Sequence, residues 1–411
     1  MRTILRLCAI ALSVLAAAAA ASAQTHPLDH SVHGKVTDAQ SGKPLPAVHV
    51  TIPGRQFATV TNSDGIYTIK SDEEITSLIF SHLGYKTLRE NVTSPTLDVR
   101  METGAIMLDQ SVIVTANALD IVQAAISRIH QNYPDQPQLL RCFYRETVRK
   151  RQRYTYISEA VSRVYKTAYG KGTYLDRTAL EKSRVLLSQR SSDTLSVKMM
   201  GGPTIATEQD AVKNTEMLLN QTDLTYYRFE TGNPTVTGDR MQYVVHFTPG
   251  PVKPSYPLYE GTLYIDAETL AFTRMEITLD MSDPSKATQM MLVKKPLTLR
   301  FNPKELSAVI SFRPQDDGRY RLEYIKTTIG FSCDWKKRLF ATTYTAVNEL
   351  VVTDLIEPAT PIARQETFRA ADILNDKAPD FFDPDFWKDY NIIEPTESLE
   401  HAIGHLMKRQ K

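Results

Sequence analysis

The chain has 411 residues, with 48 Lys and Arg against 47 Asp and Glu, so its formal net charge at pH 7 is +1. This near-neutral balance gives no electrostatic reason to expect nucleic acid or an anionic membrane as a partner. Hydrophobic residues make up 42% of the sequence, as in a globular protein. Because the chain is too long for one compact core, we expect two domains.

Residues 1–23 have the pattern of a secretory signal peptide. Arg2 and Arg6 give a positive start, Leu7 to Ala21 are apolar, and a small-residue cleavage site ends at Ala23. The apolar run is shorter than the roughly 20 residues that span a bilayer. Since no later segment is apolar enough to span one, we predict a soluble mature protein, exported to the periplasm or to the outer membrane and cell surface.

Signal cleavage leaves two cysteines, Cys142 and Cys333. An oxidising compartment permits a disulfide between them. The alternative is two buried free thiols, because Cys is among the most buried residue types. The sequence leaves both alternatives open.

Residues 31–115 predict a small β-sandwich. The segment Val48 to Ile52 alternates apolar and polar residues, which is typical of a half-buried strand. Asn62-Ser63-Asp64-Gly65 is a tight-turn sequence, because Asn, Asp and Gly tolerate positive φ. Short strands separated by such turns indicate a sandwich, and we expect the apolar segment Leu108 to Ala116 to complete it.

Four blocks of this region, in this order, resemble those of carboxypeptidase D regulatory-like domains. The blocks are Gly34 to Asp38, Gly42 to Val50, Thr61 to Tyr67 and Ser81 to Tyr85. The resemblance implies a transthyretin-like or immunoglobulin-like sandwich. It implies no activity, because this module is appended to peptidases, outer-membrane receptors and uncharacterised envelope proteins alike.

A short linking helix is predicted within residues 116–133. Val122, Ala125, Ile126 and Ile129 recur at helical spacing. Asn132-Tyr133-Pro134 then ends the helix.

Residues 134–411 predict a larger antiparallel β domain with a few helices, so the fold class is mainly β. In the clearest strand Met275, Ile277 and Leu279 point inward and their neighbours outward, which is typical of an antiparallel sheet with one packed face. Asp266 to Thr269 is a hairpin turn before it. Gly201-Gly202-Pro203 predicts a turn, and residues 210–220 a weak helix.

The chain closes with a predicted amphipathic helix. Thr396 is a good N-cap, and Leu399, Ala402, Ile403, Leu406 and Met407 make one apolar stripe. We expect the stripe to pack on the second domain as a cover for the inward side chains of the clearest strand. The aromatic residues between Phe381 and Tyr390 are expected to pin this tail onto the domain.

Parts of the second half resemble uncharacterised envelope proteins of Gram-negative bacteria that carry the same sandwich. The segments are Ala125 to Pro134, Phe143 to Glu146, Gly201 to Pro203 and Asp385 to Pro395. The resemblance brings no known activity.

Sequence motifs of catalysis are missing. A zinc carboxypeptidase needs a His with a Glu three residues later, and none of the nine His residues has one. The Gly-x-Ser-x-Gly turn of serine hydrolases is also absent. The carboxylates Glu260, Asp266 and Glu276 fall at turns or on outward strand positions. We therefore predict no catalytic residues and no cofactor.

Metal binding has only weak candidates in His26, His30 and His33. Cleavage after Ala23 places His26 third from a free amine, an arrangement that wraps Cu(II) or Ni(II) in square-planar nitrogen. Cyclisation of Gln24 would block that amine. His401 and His405 are four residues apart, but helical geometry places them on the solvent face, opposite the apolar stripe. No metal is expected.

Basic and aromatic residues alternate between Tyr144 and Tyr156, including Arg145, Arg149 and Lys150 to Arg153. In a cytosolic protein this would suggest a nucleic-acid surface. Export favours a solvated hairpin tip instead.

These observations favour an exported envelope protein that binds or scaffolds a protein or polymer without catalysis. One alternative is a lipid or lipoprotein carrier, because Gly261 to Leu279 is similar to a hairpin of periplasmic lipoprotein carriers, whose curved sheet cradles acyl chains. Another is a hydrolase with a site assembled from distant residues.

Overall fold

The computed structural model describes residues 28–104, 117–188, 199–335, 340–378 and 387–408. Within these ranges the chain is mainly β, as the sequence predicts, with a small N-terminal sheet domain followed by a large antiparallel sheet. No helix in the described ranges is long and apolar enough to cross a bilayer. The predicted signal peptide and the segment 108–116 lie outside the described residues.

The N-terminal sandwich consists of two small sheets that enclose one apolar core. Its strands are β1 (His30–Asp38), β2 (His49–Thr51), β3 (Ala58–Val60), β4 (Ile66–Ser71), β5 (Ser77–Ser81), β6 (Leu88–Asn91) and β7 (Val99–Met101). One sheet has the order β4-β1-β7 and the other β3-β2-β5-β6. Val36, Val50, Tyr67, Ile69 and Phe80 are fully buried between them. Alternation along each strand therefore supplies one apolar face to a shared core.

The predicted turn before β4 is present and is held by its own side chain. The Asn62 carboxamide oxygen accepts hydrogen bonds from the amides of Asp64, at 2.9 Å, and Ile66, at 3.0 Å. Gly65 has a φ of +76°. A Cβ at this position would lie 2.5 Å from the carbonyl oxygen of Val36, so only glycine fits.

Two helices connect the domains where the sequence predicts a helix. They are α1 (Ala118–Ser127), capped by the Asn117 side chain, and α2 (Ile129–Asn132). Val122, Ala125 and Ile129 are buried in the core of the large domain. At the end of α2 the Tyr133 hydroxyl donates to the carbonyl of Phe272 at 2.6 Å, which fixes the connection to the sheet.

The large domain is built on one sheet of eleven strands within the described residues. They are β8 (Gln138–Lys150), β9 (Arg153–Lys166), β10 (Arg177–Leu187), β11 (Tyr227–Thr231), β12 (Thr235–Thr237), β13 (Arg240–Pro249), β14 (Tyr259–Asp266), β15 (Phe272–Leu279), β16 (Leu299–Pro314), β17 (Tyr320–Trp335) and β18 (Thr342–Ile356). The order is β10-β9-β8-β18-β17-β16-β15-β14-β13-β11, with β12 also on β13. Every pairing is antiparallel.

Three further helices accompany the sheet: α3 (Gly202–Glu208), α4 (Pro284–Met291) and α5 (Glu397–Met407). The helix predicted near 210–220 is wrong: this segment holds only a 3-10 turn at Thr215–Met217. The helix forms earlier instead, because Gly201 adopts φ +78° and Pro203 favours the first helical turn.

One face of the sheet is filled by the domain's own side chains. Met275, Ile277 and Leu279 are no more than 2% exposed, and they share a core with α1, α2 and α4. The apolar stripe of α5 does pack on this domain, but elsewhere: Leu399 and Leu406 contact Ile157 and Leu186 of β9 and β10. The stripe of α5 therefore does not supply the expected cover of β15.

A disulfide between Cys142 and Cys333 does not form, and both are buried free thiols. Cys142 faces Val352 and Cys333 faces Thr342, both on β18. Ten strand residues separate these partners, which is roughly 30 Å. A disulfide needs Cα atoms closer than about 7 Å, so the register of the sheet excludes it.

Replacing Gly65 with Val tests the turn. We expect a loss of about 3 kcal/mol or more in unfolding free energy, because the new side chain meets the Val36 carbonyl and disfavours positive φ. Gly42→Val is the matched control: its φ is +68°, but nothing lies within 4 Å of its added Cβ. It should lose only about 1 kcal/mol. Equal losses in urea unfolding would contradict the close contact at Gly65.

Candidate functional site

A small polar cleft lies where the sandwich meets the outer face of the large sheet. The sandwich contributes His49 on β2 and His82 after β5, and the sheet contributes Arg274, Arg313 and Glu323. The cleft encloses about 60 Å³. That volume holds about two waters and is far below the roughly 300 Å³ of a small-molecule pocket.

A contact between a histidine and a carboxylate crosses the cleft. Nδ1 of His49 lies 2.9 Å from Oε2 of Glu323, and Nε of Arg313 lies 3.5 Å from Oε1. Burial by itself raises the pKa of Glu323, but the charges of His49 and Arg313 hold it below its ordinary value. The carboxylate therefore stays ionised and joins the two domains.

His82 is the second imidazole of the cleft. Burial lowers its pKa to about 4, and the nearby charges of Arg274 and His49 add to the effect. Its ring is therefore neutral near pH 7 and accepts or donates hydrogen bonds without adding charge.

The two serines of the cleft make no described contact with its imidazoles. Ser311 lies 3.5 Å from a guanidinium nitrogen of Arg274, and neither Ser311 nor Ser81 is bonded to an imidazole among the described residues. Covalent catalysis needs a hydroxyl within about 3 Å of its base. The arrangement can bind a water or a small polar group, and it fastens the domains together.

A buried carboxylate holds the tail segment, residues 387–396, against the sheet. Glu159 on β9 accepts from Arg145 at 2.7 Å, from Arg184 at 3.0 and 2.9 Å, and from the Trp387 indole at 2.9 Å. Burial opposes ionisation, but the two guanidinium charges keep the pKa of Glu159 below its ordinary value. Arg145 also donates to the carbonyl of Ile393 at 2.8 Å.

The same tail segment binds the sandwich. The Asn391 side chain accepts from the Lys70 amide at 2.7 Å and donates to the Lys70 carbonyl at 3.0 Å, as a neighbouring strand would. Thr59 donates to the carbonyl of Ile392 at 2.9 Å, and Asn62 donates to the carbonyl of Pro395 at 3.0 Å. The tail therefore bridges both domains and covers the edge of β4.

A second buried carboxyl, Glu146 on β8, has no charged partner among the residues that the structure describes. The hydroxyls of Tyr144, at 2.8 Å, and of Tyr156 donate to its two oxygens. Burial nevertheless dominates and raises its pKa from 4.5 to about 7. It is a hydrogen-bonded interior group rather than part of the cleft.

The weak metal candidates are not brought together. His30 and His33 are exposed and lie three positions apart on β1, so their side chains point to opposite faces. His26 lies outside the described residues, and His401 and His405 are exposed on α5. The described ranges contain no cluster of three or more His, Cys, Asp or Glu that would hold a metal.

The basic stretch is a hairpin with its turn at Arg151 and Gln152, as predicted, but only its end is solvated. Arg145, Tyr144 and Tyr156 are buried. Of the aromatic residues expected to pin the tail, Trp387 and Tyr390 pack on the domain. The remaining ones, Phe381, Phe382 and Phe386, lie outside the described residues.

Asp266 lies at the predicted turn, but it is buried. It is 1% exposed, and its carboxylate accepts from Arg240 at 2.6 and 2.8 Å and from the backbone of the turn. Burial by itself raises the pKa of Asp266, but these hydrogen bonds outweigh it and lower the pKa to about 2. The carboxylate stabilises the β14–β15 turn.

Sequence reasoning missed the cleft residues. His49 alternates with apolar neighbours, which predicts that its side chain points to solvent. It is only 8% exposed, because the second domain covers it. Glu323 likewise lies on the outer face of β17. The two residues belong to different domains and are hundreds of positions apart, so no local pattern predicts their contact.

The N-terminal part of this chain matches a known family. Residues 32–113 match the model described as the CarboxypepD_reg-like domain. The resemblance expected for the first domain is thus confirmed. None of the curated proteins matches the chain.

The large domain is only loosely similar to solved structures. A LolA superfamily protein, NE2245 from Nitrosomonas europaea, is 11% identical over 59% of this chain and 96% of that one, with a TM-score of 0.22. MucB in complex with MucA(peri) is 10% identical over 60% of this chain and 100% of that one, with a TM-score of 0.18. The structure of the Pseudomonas aeruginosa MucA/MucB complex is 11% identical over 59% of this chain and 99% of that one, with a TM-score of 0.18. Likenesses this low carry no argument about function.

Glu159→Gln tests the bridge. We expect a loss of about 3–5 kcal/mol near pH 7, because Arg145 and Arg184 remain buried without a counter-charge. A carboxyl with a lowered folded pKa stabilises above its unfolded pKa, and this stability is lost as pH falls through the folded value. The difference in unfolding free energy between wild type and variant should therefore become smaller in acid. Trp387→Phe, which removes one hydrogen bond, is the milder control. A pH-independent difference in urea unfolding would contradict the assignment.

Glu146→Gln should behave in the opposite way. A carboxyl with a raised folded pKa stabilises fully below its unfolded pKa, and this stability is lost as pH rises through the folded value. A rise from 4.5 to about 7 corresponds to about 3 kcal/mol. The variant, which mimics the protonated group, should be more stable than wild type at alkaline pH and similar in weak acid. Parallel stability–pH curves for the two proteins would refute this.

Proposed function

We propose that the protein is an exported binding or scaffolding component of a Gram-negative cell envelope, without catalytic activity. The observation that carries this proposal is the fastening of the sandwich to the large sheet. The partner is a protein or polymer of the envelope, bound on the outside of the combined body.

Backbone hydrogen bonds contribute to the fastening as well as side chains. Leu83 forms a β-bridge with Thr237 of β12. The amide of Gly84 donates to the carbonyl of Val236 at 2.7 Å, and the amide of Gly238 donates to the carbonyl of Tyr85 at 3.0 Å. Together with the tail segment, these contacts support a rigid two-domain body, which suits a scaffold.

The distribution of interior space supports external binding. The cleft of about 60 Å³ is too small for a lipid chain. The inner face of β15, where a carrier would hold an acyl chain, is buried in the core of the large domain, to which residues of its helices also contribute. A carrier would have to displace that core at a cost of several kcal/mol.

Native mass spectrometry of the exported protein tests the proposal against the carrier alternative. We expect the polypeptide without lipid after gentle purification from the envelope. A stoichiometric lipid that survives purification would overturn the scaffold and promote the carrier.

Hydrolysis assays test it against the hydrolase alternative. Wild type and Glu323→Gln are compared on model esters, peptides and envelope polymers, with unfolding temperature as the control for folding. We expect no turnover by either protein. Turnover by wild type that disappears in a folded Glu323→Gln variant would identify the cleft as an active site.

A further inference from the structure

One end of the large sheet gathers basic and exposed apolar side chains. The end is formed by the β8–β9 turn, the start of β18 and the start of β16. The registers bring these together: the Arg151 amide donates to the Thr343 carbonyl at 2.8 Å, Cys333 faces Thr342, and Leu299 faces Trp335. We call this region the basic end.

An open cavity of about 490 Å³ lies at the basic end. Its lining is Lys150, Arg151, Gln152, Arg153 and Thr342, and Arg151 is exposed. Lys150 and Arg153 each make a further interaction within the protein, which orients them. This open depression is lined mainly by cationic side chains, so it suits an anionic group.

Two large apolar side chains are exposed next to the strand ends that form the basic end. Phe340 is 78% exposed and lies two residues before Thr342, while Leu297 is 99% exposed and lies two residues before β16. Lys295, whose ammonium donates to the Leu299 carbonyl at 2.7 Å, and Arg300 add positive charge. Asp334 faces Arg300 and is the acidic residue nearest to it in register.

The base beneath these side chains is rigid. Phe301, Phe331 and Tyr344 form a continuous stack with centroid distances of 5.0 and 5.5 Å. They belong to a core cluster at this end of the sheet. The exposed groups therefore project from an ordered surface.

We propose that the basic end docks onto the surface of an anionic phospholipid membrane. Guanidinium and ammonium groups bind the lipid phosphates, while Phe340 and Leu297 insert below the headgroups. Surfaces that combine basic and apolar side chains bind membranes in this way. The inference goes beyond the proposed scaffold role and holds or fails independently of it.

Vesicle flotation of the mature exported protein tests the inference. Vesicles of phosphatidylethanolamine and phosphatidylglycerol, three parts to one, are compared with phosphatidylcholine vesicles. We expect binding only to the anionic vesicles, and weaker binding as salt rises, because the charges are screened. Inorganic phosphate at constant ionic strength should not displace the protein, which separates a membrane from a free phosphate ligand.

Variants locate the surface. Arg151→Glu should weaken binding about tenfold or more, and Phe340→Ser about fivefold, with unchanged unfolding temperatures. The matched controls are Arg100→Glu, on the exposed side of β7, and Tyr174→Ser, whose side chain is 81% exposed elsewhere. Both should bind like wild type. Absence of vesicle binding, displacement by phosphate, or equal effects of test and control variants would overturn the inference.

Discussion

One buried carboxylate fixes the tail segment that bridges the two domains. Glu159 is almost fully buried, and an isolated ion there would cost several kcal/mol. Arg145, Arg184 and the Trp387 indole satisfy it, and this set of partners requires the tail segment to lie across the outer face of the sheet. The tail in turn presents Asn391 and the carbonyls of residues 392–395 to the sandwich. Charge neutralisation inside the second domain thus positions one of the contacts that attach the sandwich, beside the cleft and the backbone bonds to β12.

Local physics explains what the sequence predicts correctly. The turn at Asn62 to Gly65 is encoded by its own side chains, and the alternation of β15 directly determines which residues are buried. The cap of α5 at Thr396 is equally local. Such features need only a few neighbouring residues, so the mainly β class and the sandwich could be predicted.

Long-range features could not be predicted in the same way. Alternation tells which residues share a face of a strand, but not what covers that face. The local pattern therefore predicts that His49 and Arg145 are exposed to solvent. In the folded protein, distant parts of the chain pack over both residues and bury them. The apolar stripe of α5 predicts that the helix packs on an apolar surface. The sequence of the helix does not tell whether that surface is β15 or, as in the structure, β9 and β10. The cysteines likewise required the register of β18 to show that they are far apart.

The near-neutral net charge of the chain does not show how unevenly its charged groups are distributed. Acidic groups are used inside and between the domains, where the buried carboxylates of Glu159, Asp266 and Glu323 each pair with an arginine. Carboxylates committed to the interior cannot balance basic groups at the surface. The basic end keeps Arg151 and Arg300 exposed beside Phe340. Since screening limits surface electrostatics to about 10 Å, a partner at this end responds to these nearby charges and not to the near-neutral total.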